Sequence, residues 1–172
     1  MKKIISFCAI AALTLSSVSS CAQDKSKRPS PPAKATVTTT KGVTISIDYS
    51  QPSVKGRTIG KEIASFGEVW RTGANECSTF EVNKGVSIGG KKLAAGKYGL
   101  FSIPGEKEWT IIFNKKTDLW GSNGYSQDND ALRIVSKSGK TKAFTEKMTF
   151  VVNQSGMVSL MWGDVQVDFM VD

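Results

Sequence analysis

An apolar–polar alternation with a period of two constrains this chain more than any other feature. Val43, Ile45, Ile47 and Tyr49 alternate with Thr44, Ser46, Asp48 and Ser50. Successive side chains of a strand point to opposite faces, so such a stretch buries one face and wets the other. The pattern returns at Trp109, Ile111 and Phe113, at Met148, Phe150 and Val152, at Val158, Leu160 and Trp162, and at Val165, Val167, Phe169 and Val171. Turn-forming groups separate these runs: Gly89-Gly90, Pro104-Gly105, Gln154-Ser155-Gly156 and Gly163-Asp164. The first lies between Val86–Ile88 and Lys91–Leu93 and predicts a tight hairpin. Tyr98 to Ile103 is apolar on both faces, as expected of a central strand or one covered by a loop. Only Thr58 to Ser65, with Ile59 and Ile63 four apart, predicts a helix, of about two turns. Many short strands, regular turns and almost no helix predict an all-β fold: a single antiparallel β-sandwich or partly closed barrel with one short helix.

The start of the chain speaks to compartment. Lys2 and Lys3 precede an apolar stretch from Ile4 to Leu15, shorter than the ~20 residues a membrane span needs. A basic start, a short apolar core and small residues after it predict an export signal over residues 1–20. Val18-Ser19-Ser20-Cys21 resembles a bacterial lipobox. In that reading Cys21 is the first mature residue and its thiol is the lipidation site, so the expected partner is a membrane, reached through the anchor. The other reading is an ordinary signal peptide with a coincidental cysteine. Ala22 is compatible with delivery to the outer membrane. Asp24 stands alone among Lys25, Lys27 and Arg28, which favours the periplasmic face over the cell surface. Residues 21–34, polar and basic with Pro29, Pro31 and Pro32, predict a flexible tether, and 35–172 the folded domain.

Composition excludes whole classes of chemistry. There is no histidine. That removes Ser-His-Asp and Cys-His catalysis and histidine-ligated zinc, copper and iron. With Cys8 in the leader and Cys21 acylated, Cys77 alone remains, so no disulfide and no thiolate metal site is expected, nor any cofactor. Cys77 reads as a buried small hydrophobe, the commoner case, or as a reactive thiol. The net charge of +8 is a solvated surface or an attraction to anionic headgroups. Nucleic acid is not an expected partner, because the chain is exported and shows no basic helix.

Three segments carry a resemblance. They are Val69 to Glu76 (VWRTGANE), Ile88 to Gly105 (IGGKKLAAGKYGLFSIPG) and Trp109 to Asn114 (WTIIFN), joined by Asp48-Tyr49-Ser50-Gln51-Pro52. Together they look like the DUF2911 family, exported proteins mostly of Bacteroidota and relatives. The resemblance covers about Ala35 to Asp172. It implies an exported β-rich domain and supplies no reaction. It also implies a small or hydroxyl residue where Cys77 stands.

The candidate ligand-binding residues are Trp70, Arg71, Asn75, Glu76, Trp120 and Tyr125. Trp70 suits stacking on a sugar ring or aromatic ligand, and Arg71 suits a carboxylate or phosphate, with Asn75 and Glu76 fixing orientation. In the scaffold reading, Arg71 pairs with Glu76, Trp70 fills the core and Gly73 supplies a positive φ. Trp120 and Tyr125, on the second glycine-rich loop, would wall a cleft. Asp128 and Asp130 beside them are calcium-type ligands, but the spacing lacks the glycine and the distant glutamate of an EF-hand. Glu68, Glu76 and Glu81 are available for a carboxylate pair, which sequence cannot place. Lys91-Lys92 and Lys115-Lys116 read as edge charges that discourage strand pairing. The expected function is a non-catalytic binding or interaction module of the envelope, for a glycan or an anionic small molecule. The alternatives are a carboxylate-dependent hydrolase or lyase and a purely structural protein. Oligomeric state stays open.

Overall fold

The computed structural model describes residues 24–172. The expected leader over residues 1–20 and the lipidation site Cys21 lie outside the described residues. Nine strands follow in chain order: β1 (Pro32–Thr38), β2 (Thr44–Ser50), β3 (Ser78–Val82), β4 (Val86–Ile88), β5 (Lys91–Leu93), β6 (Gly96–Ile103), β7 (Glu108–Asn114), β8 (Asp130–Val152) and β9 (Met157–Met170). Seven of them form one antiparallel sheet in the order β1-β2-β3-β6-β7-β8-β9, and β4 and β5 form a separate hairpin. Of the two architectures expected, the chain adopts the barrel-like one: a curled half-barrel with the small sheet beside it.

Curling brings distant parts of the sheet together. The far half of β8 meets the chain just after β2, where Met148 N–H donates to the Pro52 carbonyl at 2.9 Å and Val54 N–H to that of Glu146 at 2.9 Å. Phe150 N–H donates to the Tyr49 hydroxyl at 3.1 Å across the same seam. The apolar positions of the alternating runs all point inward. Ile45, Ile47, Phe80, Leu100, Trp109, Ile111, Phe113, Leu160, Trp162, Val167 and Phe169 share one core. Phe80, Phe113 and Phe169 pack edge-to-face or tilted at its centre, at 4.9, 6.4 and 6.0 Å between ring centroids.

The both-faces-apolar reading of β6 is explained by its surroundings. Leu100 faces the core, while Phe101 points out and packs with Cys77 and Ile112 under Val69, Leu119 and Tyr125. The loop of residues 115–129 forms this roof. It approaches so closely that a Cβ on Gly99 would lie 2.2 Å from the Lys116 carbonyl oxygen. Buried Asn114 ties the loop down, donating to Ser126 O at 3.0 Å and Asp130 Oδ1 at 2.7 Å and accepting from Lys116 N–H at 2.8 Å.

The Gly89-Gly90 hairpin forms as expected. Both glycines have positive φ, 57° and 77°, as a two-residue type I′ turn requires. Three expectations are corrected. Thr58 to Ser65 is a set of tight turns, not a helix: the Thr58 carbonyl accepts from the N–H groups of Lys61, Glu62 and Ile63, but Gly60 (φ 89°) within the turn and Ala64 (φ 48°) after it are left-handed and break helical propagation. Gly163-Asp164 is not a turn either. β9 runs through it, and Gly163 (φ 57°) absorbs a register shift against β8. The ordered body also begins before Ala35: β1 starts at Pro32, and Gln51 N–H donates to the Pro31 carbonyl at 2.9 Å.

Candidate functional site

The segment from Val69 to Cys77 enters the sheet where β3 stops. Trp70 and Ser102 of β6 exchange both backbone hydrogen bonds, each 2.8 Å, so the loop continues the place of β3 beside β6. Trp70 therefore turns its side chain toward the core. Its ring stacks on Trp162 at 5.3 Å and 10° and meets Trp109 edge-on at 6.0 Å and 79°. Thr72 then adopts φ 49°, held by hydrogen bonds from its hydroxyl to Ser102 Oγ and from Ser78 Oγ to its carbonyl. Gly73 does not supply the positive φ that the scaffold reading gave it. It is needed for clearance, since a Cβ there would lie 2.6 Å from Ser78 Oγ.

The loop divides the expected site residues into separate groups. Asn75 (φ 61°) and Glu76 face the N-terminal segment. Asn75 Nδ2 donates to the Ser30 carbonyl at 3.1 Å. Arg28 Nη1 lies 3.0 Å from both Glu76 carboxylate oxygens, and Lys25 Nζ lies 3.1 Å from one. Glu76's own backbone N–H, then Arg28 and Lys25, hold its carboxyl at about 2. Glu76 thus pairs with Arg28 and Lys25 instead of Arg71. The partners came from a stretch expected to be tether, which is why the sequence did not identify them.

Trp120 and Tyr125 do not join Trp70. The Trp120 backbone bridges to Glu76, and its side chain is 60% exposed. Tyr125 packs on Phe101 at 5.2 Å, and its hydroxyl donates to Asp130 and accepts from Arg133. Burial pushes the Tyr125 hydroxyl up. Asp130 is also taken up by Asn114 and Arg133, so it is not offered to a cation. Among the described residues no group of three or more His, Cys, Asp or Glu could hold a metal. Cys77 is buried, donates to the Thr117 carbonyl at 3.3 Å, and burial raises its thiol pKa. Those are the marks of packing, since reactivity needs an exposed thiolate.

Trp70 and Arg71 line a cavity of about 360 Å³, together with Trp162, Arg57, Ile63, Ala64, Pro52 and Ser30. No carboxylate lines it. Arg71 packs its guanidinium against Gly121, and desolvation lowers its pKa. Among the described residues Arg71 Nε and Trp162 Nε1 are buried donors without an acceptor. Arg57 donates through Nε to the Val54 carbonyl at 3.1 Å and through Nη2 to that of Ser53 at 2.7 Å. Sequence reasoning missed Arg57 and Trp162. Trp162 carried a signal, because an indole N–H at an inward strand position needs an acceptor. Arg57, in the turn Lys55-Gly56-Arg57, carried none. A second cavity, of about 300 Å³, lies toward Glu76 and Cys77 and is lined by Lys25, Arg28, Asp48 and Lys97. Its two acids are both paired, Glu76 as above and Asp48 with Lys34 at 3.2 Å.

Fold and site together define an all-β half-barrel domain with a tryptophan–arginine cavity at the edge of its core. The chain belongs to the DUF2911 family, described as a protein of unknown function, whose model matches residues 30–171. No curated protein and no solved structure matches it significantly.

Proposed function

We propose that this is a lipid-anchored envelope protein whose body is a non-catalytic binding module, with its ligand in the cavity beside Trp70. The observation that carries the binding reading is that cavity. It opens beside a stacked tryptophan pair and is lined by two arginines with no acid among them. A cavity of this size suits a small molecule or the end group of a longer one. Binding is read from quenching of tryptophan fluorescence during titration of the purified protein with glycans and anionic metabolites. Trp70→Ala is expected to abolish a response that the wild type gives. A wild type that responds to none of them sinks the reading.

The anchor rests on Val18-Ser19-Ser20-Cys21 behind the short apolar leader. Cys21→Ser is expected to move the protein from the membrane fraction to the soluble periplasmic fraction. An unchanged membrane fraction rejects the anchor. The hydrolase or lyase alternative gains no support from Glu76. A general acid working near neutral pH needs a raised pKa, and Glu76 is held at about 2. Turnover of an envelope glycan that disappears on Glu76→Gln would restore that alternative.

A further inference from the structure

The cavity beside Trp70 is lined by two arginines and no carboxylate. Arg71 makes no side-chain hydrogen bond or ion pair among the described residues, and its Nε is buried. Trp162 is 2% exposed, and its indole N–H has no acceptor. Arg57, an exposed residue, uses two of its donors on backbone carbonyls, which hold the side chain in place with its charge facing solvent and no carboxylate beside it. Buried donors are nearly always satisfied, and desolvated charges are nearly always paired. The carboxylate that would do this from within the chain, Glu76, is turned the other way and already carries Arg28 and Lys25.

We propose that the cavity is an oxyanion site, taking the carboxylate or phosphate of a small molecule whose flat portion lies against Trp70. This rests on the binding-module reading above. Arg71 is the principal partner of the anion, because its guanidinium is committed to nothing else. Arg57, fixed by its two backbone contacts, adds a second positive charge. The Trp162 N–H is covered by neighbouring atoms, so it becomes a donor to the anion once the ligand displaces that cover. A neutral sugar would leave both guanidinium charges with water as their only counterpart, so the anion is the better chemical match. Ile63, Ala64 and Pro52 complete an apolar wall beside the charged corner. The anion therefore belongs to a molecule with an apolar part, and free phosphate alone would fill the cavity incompletely.

Thermal melts of the purified full chain test this, with inorganic phosphate exchanged for chloride at constant ionic strength. Fluorescence titrations with phenyl phosphate, benzoate and neutral phenol accompany them. Phosphate is expected to raise Tm over chloride, and at least one of the aromatic anions to bind more tightly than both inorganic phosphate and phenol. Whichever of phenyl phosphate and benzoate binds better identifies the anion as phosphate or carboxylate. Arg71→Gln is expected to weaken anion binding by about 10- to 100-fold, the loss typical of a charge-assisted hydrogen bond. In chloride alone Arg71→Gln is expected to melt no lower than wild type, because an uncompensated cation has been removed. Trp162→Phe keeps the stack and removes the donor. It is expected to weaken binding by about 2- to 10-fold, and it serves if the arginine variant does not fold. Phenol binding as well as the anions, with Arg71→Gln unaffected, overturns the oxyanion assignment and leaves the binding module standing. A low-melting Arg71→Gln protein whose wild type ignores phosphate makes Arg71 scaffold and overturns it too. No response to any probe removes both readings.

Discussion

Gly99 shows how single positions in this chain are set by what approaches them. Its virtual Cβ meets the Lys116 carbonyl oxygen at 2.2 Å and the Phe101 ring at 2.9 Å, and a backbone oxygen cannot rotate away. Gly99→Ala is expected to cost about 3 kcal/mol, read as a lower urea midpoint. Glu76 makes the corresponding electrostatic prediction. Its carboxyl ionises at about 2 in the folded chain against an ordinary 4.5. The folded state binds fewer protons there, so the stabilisation is fully present above about pH 4.5 and is lost as pH falls toward 2. Glu76→Gln should be less stable than wild type at pH 6, and the gap should close across that window. Because the carboxylate is 41% exposed, solvent screening keeps the gap below about 1 kcal/mol. A gap independent of pH would mean that the ion pairs contribute nothing.

At the scale of the element, the N-terminal strap is the unexpected piece. Residues 28–31 are held by side-chain and backbone bonds to the Trp70–Glu76 loop and to Gln51 before β1 begins. Releasing the strap should show in limited trypsinolysis. Glu76→Ala is expected to speed cleavage after Lys27 several-fold, because opening of a short docked segment is limited by its few contacts. Cleavage after Lys34 should change much less, since that residue sits inside β1 and is paired with Asp48 of β2. Equal acceleration at both sites would mean that strap and strand open as one unit.

For the whole molecule, the seam between the far half of β8 and the chain after β2 decides cooperativity. It ties parts of one sheet that are distant in sequence, so neither part can leave without opening the core. Met148 lies under the seam, fully buried, with its methyl close to Gly73. Met148→Ala is expected to cost about 2–5 kcal/mol while leaving a single unfolding transition. Two transitions in circular dichroism would show that the sheet does not behave as one unit.

The sequence by itself determined the all-β class, the inward face of most strands and the β4–β5 turn. Alternation and glycine φ are local properties, readable wherever Val-x-Ile-x or Gly-Gly stands. It also offered Trp70, Arg71, Asn75, Glu76, Trp120 and Tyr125 as candidates without saying which of them meet. It missed the helix-breaking role of Gly60 and Ala64, the continuity of β9 through Gly163, and most of the outer half of β8, whose partners are elsewhere in the chain. Only the tertiary structure decided which residues share a site. Arg57 and Trp162 join Trp70 and Arg71 because a turn and a strand more than a hundred residues apart meet where the sheet curls. Glu76 leaves them because its charge is satisfied by Arg28 and Lys25. The physical reason is that a side chain's facing is set by its own backbone, whereas its partner is set by closure of the whole sheet.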